Sequence, residues 1–194
     1  MTTTQLTPDQ QEASQKILDF LYSNEKFFYL FGPAGSGKTF LLKYVIENVL
    51  PNFQNSAKVL NLTPINGVAI TASTHKALGV LSSSFDDVNN IPLTEGTVYQ
   101  FFNVTVKDDY ETGESNLVFN DFDSDVFKKY NLIIVDECSM LPSGLIQYIS
   151  RINGEFKVIF VGDNHQLSPV NESLATKIWN DTSEACTAVL SSSV

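Results

Sequence analysis

Residues 32–39 read Gly32-Pro33-Ala34-Gly35-Ser36-Gly37-Lys38-Thr39 and satisfy the phosphate-binding pattern G-x-x-x-x-G-K-[ST] in full. These residue types answer one physical problem: a polyphosphate must be surrounded by donors and positive charge at backbone distance. Glycines let the loop curl so that successive N–H groups point inward, and the helix that follows adds its free N–H groups and positive dipole end. In this pattern the lysine, Lys38, reaches the β- and γ-phosphates, and the Thr39 hydroxyl holds Mg²⁺. Gly32 through Thr39, with Phe40 behind them on the helix, are the candidate nucleotide-binding residues.

The complementary acids come later. Asp136-Glu137 closes the apolar run Leu132–Val135. An isolated Asp-Glu pair reads as a solvated strand end. In a chain with a phosphate loop it reads as the acidic half of a magnesium–nucleotide site. Asp136 would bind Mg²⁺ directly or through water, and Glu137 would polarise the attacking water as general base.

Several elements must position these groups. Thr7-Pro8-Asp9-Gln10 reads as a helix start, with Thr7 as N-cap, proline in the first turn and Gln10 at the capping-box position. Ala13, Ile17, Phe20 and Leu21 continue it at helical spacing. Phe27–Phe31, Val68–Thr71, Leu132–Val135 and Val158–Val161 are short apolar runs of the kind buried on both faces of a parallel sheet. Helices are predicted over Thr39–Val49, from His75 to Leu81 and from Pro142 to Ile152. This alternation implies right-handed crossovers and an α/β fold, a parallel sheet flanked by helices. Ligands then sit beyond the C-terminal ends of the strands. The phosphate loop, Ser73-Thr74, Asp136-Glu137 and Asp163–Gln166 all follow strands and are expected along one edge. Val104 and Val106 alternate with Thr105 and Lys107, a polar turn follows, and Leu117, Val118 and Phe119 come next. This stretch reads as an inserted β-hairpin.

Composition narrows the class. The chain has 194 residues, 43% hydrophobic and 18% charged, within the range of one soluble globular domain carrying an insertion. No apolar run approaches a bilayer span, the N-terminus lacks signal-peptide character, and the two cysteines have no metal-type spacing. A reduced, cytoplasmic setting in a bacterial cell or phage-infected host is the expectation. Net charge is −10, which opposes a broad basic footprint for nucleic acid, but the acids gather at Asp86-Asp87, Asp108-Asp109 and Asp121, Asp123 and Asp125. A local groove lined by amides, hydroxyls and a few lysines remains compatible with that balance.

Five segments together resemble superfamily-one helicases. Asp136-Glu137-Cys138-Ser139-Met140 resembles motif II, and Gly162-Asp163-Asn164-His165-Gln166-Leu167-Ser168-Pro169-Val170 resembles motif III, G-D-x-x-Q-L-x-P-V. Leu6-Thr7-Pro8-Asp9-Gln10 is similar to the Q motif, Ala72-Ser73-Thr74-His75-Lys76-Ala77 to motif Ia, and Thr97-Val98-Tyr99-Gln100-Phe101-Phe102 to T-[IV]-[HY]-x-[FIL]-[FIL]. Order and spacing fit the 5′-to-3′ branch of RecD-like and Dda-like enzymes over residues 5–194. The implied fold is a RecA-like P-loop NTPase core. Residues 1–100 and 128–194 would form the core domain, and residues 101–127 would form the inserted, pin-like hairpin.

The resemblance also implies roles. Gln10 would contact adenine, although it fits a capping box equally well. Gln166 would sense the γ-phosphate, joining Lys38 and Glu137 as a catalytic residue. Ser73, Thr74, His75 and Lys76 would meet the DNA backbone, with Thr97 and Tyr99 as further contacts; Thr74 also fits a helix N-cap, and Tyr99 taken alone fits packing. Phe119 would be an aromatic wedge at the hairpin tip, although it fits the hairpin's own core equally well. Implied cofactors are ATP and Mg²⁺. Implied partners are single-stranded DNA and fork duplex, together with single-strand-binding or replication proteins in DNA replication and repair; the protein would act as a monomer.

Such enzymes need a second RecA-like domain that supplies arginines, and this chain's only arginine is Arg151, between motifs II and III. The expectation is the N-terminal, ATP-binding part of a longer helicase, nearly inactive alone. The competing reading is a non-catalytic nucleotide- or single-stranded-DNA-binding regulatory module. A nucleotide kinase is a third, which motif III and the Q motif oppose.

Overall fold

A computed structural model describes residues 5–85, 91–108, 115–163 and 186–191. The chain opens with helix α1 (Pro8–Tyr22), started by a complete capping box. The Thr7 hydroxyl accepts from the Gln10 N–H at 3.3 Å, and the Gln10 side-chain oxygen accepts from the Thr7 N–H at 3.1 Å. Ala13, Ile17, Phe20 and Leu21 form its buried face.

Six strands make one parallel sheet: β1 (Phe27–Phe31), β2 (Val68–Ala72), β3 (Leu93–Thr97), β6 (Leu132–Asp136), β7 (Lys157–Gly162) and β8 (Thr187–Val189), in the order β3-β2-β6-β7-β1-β8. Helices cover both faces, which is why β2, β6 and β7 are apolar almost throughout. On one face α1, α2 (Lys38–Tyr44), α3 (Leu50–Leu60) and α4 (His75–Ser82) pack around Phe20, Phe28, Phe53 and Ile70. On the other, α5 (Val98–Phe101) and α6 (Ser143–Arg151) pack around Tyr29, Phe102, Ile133 and Phe160. Register brings the C-terminal strand ends together: Phe31 lies opposite Gly162, and Ala72 lies between Asp136 and Thr97. Among the described residues no helix is long and apolar enough to cross a membrane.

Two differences from the sequence expectations have clear causes. The helix predicted to stop at Val49 runs on to Leu60. A π-helical turn, Val45–Val49, precedes Pro51 and lets the Leu50 N–H reach the Val45 carbonyl. This turn brings Pro51 into the first turn of α3, where a missing N–H costs little. Strands β3 and β8 lie outside the apolar runs that read as strands. β3 (Leu-Thr-Glu-Gly-Thr) is a polar edge strand and β8 has only three residues, so pairing rather than local pattern makes them strands.

Strands β4 (Val104–Asp108) and β5 (Ser115–Phe119) form a separate antiparallel hairpin, with Val104 opposite Phe119 and Asp108 opposite Ser115. It is not independent of the body: Val104 is buried in the same cluster as Phe102 and Phe160, and Leu117 and Phe122 pack against that cluster.

Candidate nucleotide site

The phosphate loop leaves β1 and enters α2 through two glycines at positive φ, Gly35 (80°) and Gly37 (82°). A Cβ on Gly37 would run into the Gln10 amide nitrogen, and one on Gly32 would lie 2.6 Å from the Ser36 hydroxyl and 3.0 Å from the Leu190 carbonyl. Gln10 is buried, and its amide nitrogen donates to the Ser36 carbonyl at 3.4 Å. One side chain therefore closes the cap of α1 and ties that helix to the loop.

Lys38, half-buried, donates to the Gly32 and Pro33 carbonyls at 2.6 and 2.9 Å, which holds its ammonium across the loop. Burial lowers its pKa, and the charges of Asp136 and Asp163 oppose the shift. Asp136 ends β6. Burial pushes its carboxyl above the usual carboxylate value; the Glu137 backbone and Lys38 act against that shift, and the Glu137 charge adds to it. Glu137 takes a left-handed backbone, φ 51° and ψ 39°, where the chain leaves β6 for the 3₁₀ turn Cys138–Met140. For a residue with a Cβ this conformation costs about 1–2 kcal/mol. Its exposed carboxylate accepts a hydrogen bond from the Ser73 hydroxyl at 3.4 Å.

Ala34, Lys38, Thr39, Asp136, Glu137, Ser139, Gly162 and Asp163 line one open cleft of about 220 Å³. The residues present fit a magnesium–polyphosphate. The Ser36 hydroxyl is buried with no hydrogen-bond partner among the described residues. The loop backbone is curled by positive-φ glycines, and a cation and carboxylates face the same space. Gly162 has no room for a Cβ, which would lie 2.8 Å from the Cys138 sulfur, so the two elements under the cleft are in close contact. Burial pushes the Cys138 thiol up, which keeps it protonated.

The other predicted residues divide. Ser73, Thr74, His75 and Lys76 lie at the C-terminal end of β2 and the start of α4, beside Glu137. Thr74 caps α4, accepting from the Ala77 N–H at 3.2 Å, and Thr74, His75 and Lys76 are exposed. Thr97 does not face outward: it is buried, and its hydroxyl accepts from the Gln100 N–H in the capping box of α5. Tyr99 is half-buried against the core, and burial raises its pKa. Phe119 is not at the hairpin tip. Pairing with Val104 puts it at the base, where its ring stacks on Tyr148 of α6 at 4.5 Å. Gln166 lies outside the described residues. Sequence reasoning missed the Ser73–Glu137 bond, because nothing local shows that β2 and β6 are neighbours.

A family model described as "AAA domain" matches residues 5–193. An uncharacterized protein of Acanthamoeba polyphaga mimivirus is 31% identical over 177 residues, spanning 84% of this chain and 33% of that protein. The ATP-dependent DNA helicase dda of Enterobacteria phage T4 is 28% identical over 171 residues, spanning 88% of this chain and 34% of the helicase. The RecBCD enzyme subunit RecD of a Buchnera aphidicola strain is 27% identical over 176 residues, spanning 84% of this chain and 26% of the subunit. The chain thus spans about a third or less of each of these relatives. Among solved structures, the Pif1 helicase from Bacteroides shares the fold, with a TM-score of 0.57 and 21% identity over 100% of this chain and 43% of that one. From the matched model, the fold and the site together, the chain belongs to the AAA domain family, with RecD- and Dda-type helicases among its relatives.

Proposed function

We propose that the chain is the ATP-binding part of an ATP-dependent DNA helicase or translocase, moving 5′-to-3′ on single-stranded DNA in the cytoplasm. One observation carries this reading: the phosphate loop, the acids Asp136-Glu137 and the exposed start of α4 meet at one sheet edge, and Ser73 bonds Glu137 across the gap. A nucleotide site alone would need no exposed helix start beside its base. An exposed N-terminus carrying Thr74, His75 and Lys76 suits a strand's phosphates.

Gly35, Ser36 and Gly37 would cradle the phosphates, and Lys38 would swing from its loop carbonyls to the β- and γ-oxygens. Gln10, through its remaining N–H, would face the adenine. Mg²⁺, held by Thr39 and Asp136, would supply charge neutralisation for the β- and γ-oxygens. Glu137 would take a proton from the attacking water as the water oxygen bonds the γ-phosphorus and ADP leaves. The sole arginine cannot join them: Arg151 ends α6, next to Ile152, whose carbonyl accepts from Lys26 just before β1, at the opposite sheet edge. Cations in such sites are worth roughly 10³–10⁵ in kcat, so fast hydrolysis would draw them from elsewhere in a longer protein. This arrangement, with a net charge of −10, also favours the second reading for the chain by itself, a nucleotide- or strand-binding regulatory module.

The test is ATPase of the full gene product with and without single-stranded DNA. Stimulation that Lys38→Ala or Glu137→Gln abolishes is expected. Hydrolysis indifferent to DNA refutes the helicase reading, and phosphorylation of a small acceptor would favour a kinase. Duplex unwinding from 5′ and 3′ overhangs reads the polarity.

A further inference from the structure

The hairpin β4–β5 is fastened to α6 through a matched pair of contacts along one helix face. Gly144 and Tyr148 are one turn apart on α6 and so face the same way. Leu117 and Phe119 are two residues apart on β5 and also share a face. A helix turn of four residues advances about 6 Å and a two-residue strand step about 6.8 Å, so both contacts can be met at once. Leu117 lies over Gly144, where a Cβ would sit 3.8 Å from its methyl. Phe119 stacks on Tyr148 with ring centroids 4.5 Å apart and planes at 27°. Around the stack, the Tyr148 hydroxyl points to the Asn120 carbonyl at 3.5 Å, and the Asn120 amide donates to the Asn103 carbonyl and the Thr105 hydroxyl, both at 3.0 Å. Asn103, at a left-handed φ of 52°, donates to the Asp121 carbonyl at 2.7 Å. Both ends of the hairpin base are therefore tied together and laid on α6. That helix begins directly after the turn that follows Asp136-Glu137.

From this geometry we propose that Tyr148 is a positioning residue: through Phe119 it sets the angle of the hairpin against the nucleotide-binding body. Phe119 is then the fastening point of the hairpin and not its working tip. For its consequence in strand separation the inference rests on the helicase reading above. A hairpin that holds a fork apart needs a stiff joint to the body that carries it, and a stacked aromatic pair supplies one.

Hydrogen exchange by mass spectrometry on this chain tests the joint without requiring activity. Tyr148→Ala is expected to speed exchange of the β4 and β5 amides about twofold to tenfold relative to β6 and β7. Phe119→Ala should do the same, the double variant should add little to either, and Tyr148→Phe should behave as wild type. Hairpin exchange unchanged in both alanine variants, or effects that add, would overturn the proposal. In the full gene product, Tyr148→Ala should lower unwinding per ATP while DNA-stimulated ATPase stays; unchanged unwinding per ATP also overturns it. If exchange responds as expected but the wild-type product never unwinds DNA, the helicase reading fails and the joint stands.

Discussion

The sharpest quantitative test concerns Gln10 and Gly37, which touch between the first helix and the phosphate loop. Gly37 sits at φ 82°, so Gly37→Ala forces a Cβ into the left-handed region, a cost of about 1–2 kcal/mol. The new methyl also displaces the Gln10 amide, and the hydrogen bond to the Ser36 carbonyl is lost, about 1 kcal/mol more. The single substitution should therefore destabilise the chain by about 2–3 kcal/mol, lowering Tm by about 5–10 °C at this size. Gln10→Ala alone removes the same hydrogen bond and one half of the capping box, about 1–2 kcal/mol. In the double variant the methyl meets no amide, so the combined loss should fall short of the sum by about 1 kcal/mol. Urea denaturation of the four proteins measures this directly. Additive losses would show that the Gln10 side chain does not rest on the loop, and the structural link between α1 and the phosphate site would be refuted.

Two further expectations concern Lys157 and Ser73. Burial pushes the Lys157 ammonium down to about 8 while it donates to the Phe20, Ser23 and Glu25 carbonyls at the end of α1. From about pH 8 to the ordinary lysine value near 10.4, the unfolded chain holds a proton that the folded chain has lost, so stability should rise with pH. That rise should disappear in Lys157→Met, and parallel pH profiles from urea melts would contradict it. Ser73→Ala removes the hydroxyl that donates to Glu137. In the full gene product it should raise DNA-free ATPase a few fold and shrink DNA stimulation, with nucleotide Kd unchanged; a changed Kd with unchanged stimulation would count against the link.

What could be read in advance was local or two-sided. The capping box of α1 needs only Thr7, Pro8 and Gln10 at fixed spacing, and it forms as read. β1, β2, β6 and β7 announce themselves because burial on both faces leaves little room for polar side chains. The phosphate loop is legible for a related reason: positive-φ glycines, a lysine and a hydroxyl are chemical requirements at adjacent positions. By contrast, β3 and β8 carry no pattern of their own, and Pro51 reads as a stop unless the preceding turn is known to be π-helical.

The residue sequence by itself therefore determined the phosphate loop, the α/β class and the existence of a hairpin, because each depends on residue types a few positions apart. Tertiary structure alone decided three other things. It placed β2 beside β6, so that Ser73 meets Glu137. It buried Thr97 against the core, although the Thr97–Gln100 spacing by itself permits the cap. It put Phe119 at the base of the hairpin against Tyr148 instead of at a tip. Strand order and hairpin register are set by which surfaces bury one another across the whole chain, and no local window of sequence contains that information.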